Sequence, residues 1–329
     1  MSRILNLARW EWFKLQRRKM LWILLAILLA ITQLSVWGTY AGYTSMAATG
    51  GRVFAPPGPD QARGRMMPCT EVQANLLADT RLLEQCRQQA SVLAVRYQMF
   101  SPTGGMTAAL AVIGSLGMIL FGVLTASVVG SEYGIGTLRP VLTRGTGRLS
   151  FLAGKYLTLL VVATLATAAF CGAAAASGLL AAQSAPPPPS SAASLLNLAG
   201  VASPDLGLTF LKTLGGVVTF ITMTGAVTLL LRSTAVGMAI CLAWYVGEGI
   251  LIRLLSAAFD NFDAVADFLP MRNISALASG RMNFASPFGG TEDIGTAHSS
   301  LVLAAYVVIF AGVAAMVFRR RDIAGAAGS

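Results

Sequence analysis

The chain has 329 residues, of which 55% are hydrophobic and only 12% are charged, and its formal net charge is +10. Soluble domains carry about 25% charged residues, so this chain has too few polar side chains to cover a water-exposed surface. The composition argues against an ordinary soluble domain and indicates lipid as the solvent. The positive charge points to an anionic partner, and its concentration near span ends favours a lipid leaflet over nucleic acid.

Residues 1–19 predict an amphipathic helix on the cytoplasmic side. At about 100° per residue, one face about 100° wide carries apolar side chains, namely Ile4, Leu5, Ala8, Trp12 and Leu15. The other side gathers Arg3, Lys14, Arg17 and Arg18. This pattern predicts an interfacial helix with Trp12 toward the acyl chains and Arg17 and Arg18 toward anionic headgroups. Alternatively, the basic cluster only sets orientation under the positive-inside rule.

Residues 20–329 predict one membrane domain. A bilayer core of ~30 Å needs about 20 apolar residues per spanning helix. Six stretches qualify, at about 20–40, 106–129, 156–180, 208–231, 234–255 and 301–318. The fold class expected is therefore an all-α integral membrane protein with six transmembrane helices.

The distribution of Lys and Arg predicts the orientation. Basic residues concentrate before the first span, between spans 2 and 3, between spans 4 and 5, and after span 6. Acidic residues concentrate in the opposite connections. The positive-inside rule then places both termini in the cytoplasm and makes the chain a multi-pass protein of a bacterial or archaeal plasma membrane.

Two long outer loops follow from this topology, at 41–105 and 256–300. The first contains Cys69 and Cys86 on the oxidising side, where they either form a disulfide or stay as two thiols. Between spans 3 and 4, Pro186 begins a run of four prolines that favours a stiff extended spacer. The second long loop predicts short outer helices before span 6, with Pro270 stopping a helix.

Glu248 is predicted to lie inside the fifth span. A carboxylate at that depth costs about 2.5–3.5 kcal/mol on insertion scales, so it should face the bundle interior or an aqueous path. Two roles stay open. Glu248 lines a substrate path, or it forms a structural ion pair with Arg253 or Lys212.

Several absences bear on function. His298 is the chain's only histidine and stands in a loop, as a surface residue would. No Walker A sequence is present, because Gly154–Lys155 lacks the preceding glycine and is followed by Tyr156. The sequence therefore predicts no enzyme, no metal site and no cofactor-binding site in this chain.

The predicted cytoplasmic loop 130–155 combines glycine and charge between two apolar spans. It resembles the first cytoplasmic loop of the type-2 permeases of ATP-binding-cassette (ABC) exporters. The residues that carry the resemblance are Glu132, Gly136, Thr137, Leu138, Arg139, Leu142, Thr143, Gly145, Arg148, Gly154 and Lys155. The alternative is a charged turn that satisfies the positive-inside rule.

The resemblance implies a permease that exports a hydrophobic or amphipathic substrate such as a drug, antibiotic, lipid or small peptide. It implies a second permease chain, identical or similar, and two separate ATPase subunits that supply ATP and Mg²⁺. The loop would dock on the ATPase through Glu132, Gly136, Thr137, Leu138, Arg139, Thr143, Arg144, Arg148 and Lys155. Two other hypotheses stand beside it: a membrane sensor or assembly factor with ligand-binding outer loops, and an ion-coupled transporter that uses Glu248.

Overall fold

The computed structural model describes residues 2–48, 52–55, 65–68, 80–135, 147–186, 205–259, 262–278 and 294–320. An N-terminal helix at Ser2–Gln16 precedes six longer helical segments. These are span 1 (Lys19–Ala48), span 2 (Pro102–Val112 and Met118–Ile135, joined by the π-helical turn Ile113–Gly117), span 3 (Arg148–Ser184), span 4 (Leu206–Leu231), span 5 (Thr234–Ala258) and span 6 (Thr296–Arg320). The shorter helices are the loop helix (Thr80–Met99), Phe262–Ala266 and the pre-span-6 helix (Pro270–Ala278).

The prediction of six spans is confirmed, because six helices are long and apolar enough to cross a membrane. Their ends extend past the apolar runs. Span 2 continues to Ile135 and span 3 begins at Arg148, so the connection between them is shorter than the predicted loop 130–155. Span 1 likewise continues to Ala48 in the predicted outer loop.

The described chain is all-helical, as predicted, except for one short hairpin. Arg52–Ala55 and Arg65–Pro68 form an antiparallel hairpin in which Val53 is opposite Met67. Each strand has only four residues, too few for a convincing alternating pattern in the sequence. The rest of the described secondary structure is helical.

Helix ends follow ordinary capping chemistry. The Ser101 hydroxyl accepts from the Gly104 N–H at 3.1 Å, and Pro102 occupies the first helical position of span 2. Ser233 caps span 5 in the same way, after Arg232 has turned the chain with a φ of 54°. Pro270 begins the pre-span-6 helix, which corrects the expectation that it stops one.

The chain divides into two compact units. The first contains Met1–Ala30, Leu110–Ala169 and Gly207–Ser329, and the second contains Ile31–Ala109 and Phe170–Leu206. Within the first unit, one apolar cluster joins spans 2, 3, 4 and 6 through Val129, Phe151, Leu152, Ala226, Leu229, Ala314 and Phe318. The Phe151 and Phe318 rings stack with centroids 6.3 Å apart. This cluster fixes the ends of four spans relative to one another.

An aromatic cluster organises the second unit. Tyr43 and Phe100 are fully buried, and Tyr97 lies within 5.5 Å of both ring centroids. The Tyr43 hydroxyl donates to the Pro186 carbonyl at 2.9 Å, at the start of the proline run. Cys86, on the loop helix, forms a disulfide bond, while Cys171 and Cys241 are free. Cys69 lies outside the described residues, so its pairing with Cys86 stays a prediction.

Two glycines of span 3 are expected to respond differently to substitution by alanine. A Cβ on Gly178 would lie 2.8 Å from the Ser101 carbonyl oxygen, which is backbone and cannot rotate away, whereas a Cβ on Gly172 meets nothing within 4 Å. We expect Gly178→Ala to cost about 1–3 kcal/mol through overpacking. Gly172→Ala should be neutral or gain up to about 1 kcal/mol from helix propensity. Thermal unfolding in detergent measures both, and equal effects would contradict this packing.

Candidate functional site

The N-terminal helix is held to the spans by a buried ion pair. Glu11, the helix's only acid, accepts from Lys155 Nζ at 3.1 Å, and the two side chains are 9% and 4% exposed. Lys155 Nζ also reaches the Val128 carbonyl of span 2 at 3.4 Å and lies 5.1 Å from the centroid of the Phe151 ring. One ammonium group therefore joins the N-terminal helix, span 2 and span 3.

Further contacts reinforce this junction. The Thr158 hydroxyl of span 3 lies 3.1 Å from the Ala8 carbonyl, to which it can donate. Gly154 permits close approach, since a Cβ there would lie 3.2 Å from the Leu7 Cβ. Arg18 donates to the Ser131 hydroxyl at 3.0 Å and to the Ser127 carbonyl at 3.4 Å. The helix is thereby positioned against spans 2 and 3 from Leu7 to Glu11, and the turn that follows it is held at Arg18.

These contacts correct the predicted roles of several residues. Leu15, expected to insert into the membrane, is buried against the protein, and Leu7 packs on the apolar cluster. Trp12 is half-buried. Arg18 binds span 2 rather than projecting toward headgroups. Lys155 is a buried helical residue, not a surface residue of a loop.

The charge balance at Glu11 follows from this burial. Burial by itself raises the pKa of the Glu11 carboxyl, but the adjacent Lys155 and Lys14 outweigh it and hold the pKa below its ordinary value of 4.5. Lys14 lies 3.2 Å from Glu11 Oε1 and is half-exposed. The carboxylate is therefore ionised at neutral pH and paired with two cations.

This lowered pKa predicts acid sensitivity. Because the folded-state pKa lies below the unfolded value, the stabilisation is complete above pH 4.5 and is lost as pH falls through the folded pKa. We expect thermal stability to fall on acidification below that point, and Glu11→Gln to flatten this part of the profile. Unfolding temperatures measured from pH 7 to pH 3 test it. An identical slope in Glu11→Gln would show that another group is responsible.

The first turn of span 3 is bonded to the end of span 6. Arg148 Nη1 donates to the Arg319 carbonyl at 3.1 Å. Gly147, Arg148, Leu149, Ser150 and Arg319 line an open cavity of about 330 Å³ beside this link.

Most of the predicted coupling residues cannot be placed. Gly136, Thr137, Leu138, Arg139, Thr143 and Arg144 lie outside the described residues. Glu132 lies in the last turn of span 2, but its side chain is not among those described. Arg17 lies over the Phe13 ring, 4.3 Å from its centroid.

Glu248 is buried and caps another helix. Its Oε2 accepts from the Trp244 indole N–H at 2.8 Å, and its Oε1 accepts from the Arg272 backbone N–H at 2.9 Å. Arg272 is the third residue of the pre-span-6 helix, where backbone N–H groups have no partner within the helix. The carboxylate supplies that partner and complements the positive end of the helix dipole. This geometry favours a structural role, although the partners differ from the expected Arg253 or Lys212.

A polar cluster surrounds the pre-span-6 helix. Arg272 pairs with Asp267 at 3.0 Å, and the Asn273 amide donates to the Asp267 carbonyl at 2.7 Å. His298 Nε2 lies 3.2 Å from the same carbonyl and its ring is exposed, as predicted, but the residue lies in the first turn of span 6 and not in a loop. No group of three or more His, Cys, Asp or Glu side chains that could hold a metal ion occurs within the described ranges.

The sequence reasoning missed Glu11. It is the single acid of a basic helix and, at about 100° per residue, falls on the same face as Ala8 and Leu15. A charge on an apolar face is a signal for a buried partner. Nothing in the local pattern identifies that partner as Lys155, which lies 144 residues away.

The family described as Protein of unknown function (DUF2705) matches residues 82–324, which is most of the chain. The chain belongs to this family. The DUF2705 match begins inside the loop helix and ends beyond span 6, so it contains Lys155 and Glu248, whereas Glu11 and the N-terminal helix precede it. The comparison with curated proteins gives no match.

Proposed function

We propose that this DUF2705 protein is the permease subunit of an ATP-driven exporter of the ABC type. The six apolar spans and the loop motif that ends at Lys155 support the proposal. The observation that carries it is the anchoring of the motif's C-terminal part. Lys155 binds Glu11 and span 2, and Arg148 binds the end of span 6, so a force on the preceding residues 136–146 would act on several spans together.

The proposed complex contains two copies of a separate ATPase subunit and a second permease chain, identical or similar. The ATPase would bind ATP and Mg²⁺ and dock on residues 136–146, with both termini of this chain in the cytoplasm. ATP binding and release would favour different global states, and the docked segment would carry the differential contact that such a switch requires. The candidate spans carry few charged residues, which suits a hydrophobic or amphipathic cargo.

The test is reconstitution with the separate ATPase subunit that the proposal requires. We expect ATP hydrolysis to be stimulated by a subset of hydrophobic compounds, and Arg139→Glu to remove the stimulation while the chain still inserts. Arg87→Glu is the matched control, because Arg87 is an exposed arginine of the loop helix, outside the motif. Unchanged stimulation in Arg139→Glu, or failure of the two subunits to associate, would contradict the proposal.

A further inference from the structure

The N-terminal helix has a second face, on which the described side chains are exposed. Glu11 and Leu15 are buried on one side, while Trp10 and Phe13 on the other are 67% and 47% exposed. At about 100° per residue, Arg9, Trp10 and Phe13 fall within an arc of about 100°, and Arg17, in the turn that follows the helix, lies over the Phe13 ring. We call these four residues the open face. It differs from the face that the sequence predicted to enter the membrane.

The open face combines aromatic rings with positive charge. Arg9 and Arg17 are both exposed, and the Arg17 guanidinium lies 4.3 Å from the centroid of the Phe13 ring. The only acid of the helix, Glu11, is buried on the opposite side between Lys14 and Lys155. An anionic occupant would therefore meet two guanidinium groups and no carboxylate of this helix.

The helix is fixed at the level where span 1 begins. Only two residues separate Gln16 from Lys19. The Trp22 indole N–H, in the first turn of span 1, donates to the Gln16 carbonyl at 2.8 Å, and Trp22 is itself 58% exposed. Tryptophan is enriched at the membrane–water boundary, where the ring is apolar and the N–H finds a polar partner. Trp22 therefore places the end of the N-terminal helix at that boundary.

We propose that the open face binds anionic phospholipid, with Trp10 and Phe13 in the upper acyl region and Arg9 and Arg17 at the phosphates. Charge complementarity and the depth fixed by Trp22 favour a lipid leaflet over a protein groove. The proposal does not depend on the exporter function. It assigns the lipid contact to the side of the helix opposite Glu11, so one helix joins the spans to the leaflet.

Fluorescence quenching of the full chain in proteoliposomes tests the proposal. Vesicles contain phosphatidylglycerol, and part of the lipid carries bromine on the upper acyl chain. The contribution of Trp10 is the bromine quenching of the wild type minus that of Trp10→Phe. Trp12→Phe is the matched control because Trp12 is half-buried. We expect Trp10→Phe to remove more of the bromine quenching than Trp12→Phe, and Trp10 to be protected from aqueous iodide.

Charge reversal tests the anionic requirement. Arg17→Glu, or replacement of phosphatidylglycerol by phosphatidylcholine, should remove most of the Trp10-dependent quenching, whereas Arg87→Glu should leave it unchanged. If Trp10 in anionic vesicles is quenched by iodide and not by brominated lipid, the open face is in contact with water and not with lipid. Protection that appears only when the ATPase subunit is added would show a protein contact. Either result overturns the proposal.

Discussion

Lys155→Met is expected to destabilise the protein by about 3–5 kcal/mol, the cost of leaving one member of a buried ion pair without its partner. The Glu11 carboxylate is 9% exposed and loses its closest buried cation. Lys14 compensates only in part, because it is half-exposed and its attraction is screened by solvent. Thermal unfolding in detergent measures the loss, and trypsin cleavage within the N-terminal helix measures its detachment.

Two variants make this result specific to the pair. Lys14→Met should cost less than about 1 kcal/mol, as for an exposed ion pair. The double change Glu11→Leu with Lys155→Met removes both buried charges and should recover most of the stability lost in Lys155→Met. If Lys155→Met unfolds at the wild-type temperature, or if the double variant is no better than the single one, the Glu11–Lys155 contact does not hold the helix.

Glu248→Ala is expected to release the pre-span-6 helix. The change leaves the Arg272 backbone N–H without its acceptor, and each buried donor left unpaired costs about 1–3 kcal/mol. The Trp244 indole N–H, in the middle of span 5, loses its acceptor as well, and the bilayer core has no water to replace it. Glu248→Gln keeps one oxygen acceptor and should cost less. Unfolding temperature and hydrogen exchange at residues 270–278 measure the effect.

The Glu248→Gln variant also separates two hypotheses of function. In an ATP-driven exporter with a structural Glu248, Glu248→Gln keeps exporting and export stops when ATP is depleted. In an ion-coupled transporter that titrates Glu248, the Gln variant stops and the wild type continues without ATP. Loss of all export in a well-folded Glu248→Gln chain would count against the structural role.

The six spans could be predicted because an apolar run of sufficient length has few soluble alternatives. Their ends could not. Residues 148–154 extend span 3 at the N-terminal side of its apolar run, and their sequence is typical of a loop because it carries Arg148 and Gly154. The hairpin at Arg52–Ala55 was missed because four residues per strand carry little periodicity.

The candidate site was predicted only in part. A resemblance drew attention to Lys155, but its burial depends on Glu11, and no local rule pairs residues 144 positions apart. Glu248 was recognised from the cost of its charge, whereas its partner is a backbone N–H that becomes available only where the pre-span-6 helix begins. The open face differs from the predicted lipid face because the helix packs its Leu15 and Glu11 side against the protein, which leaves the other side exposed.

The proposed exporter requires residues 136–146 to contact a separate ATPase. Site-specific photo-crosslinking tests this contact, with a crosslinking amino acid at Leu138 and a control at Arg87 on the loop helix. We expect Leu138, and not Arg87, to crosslink in cells to a protein that carries a Walker A sequence, and we expect the purified adducts to hydrolyse ATP. Crosslinking of Leu138 only to lipid or to this chain itself, with the ATPase present, would contradict it.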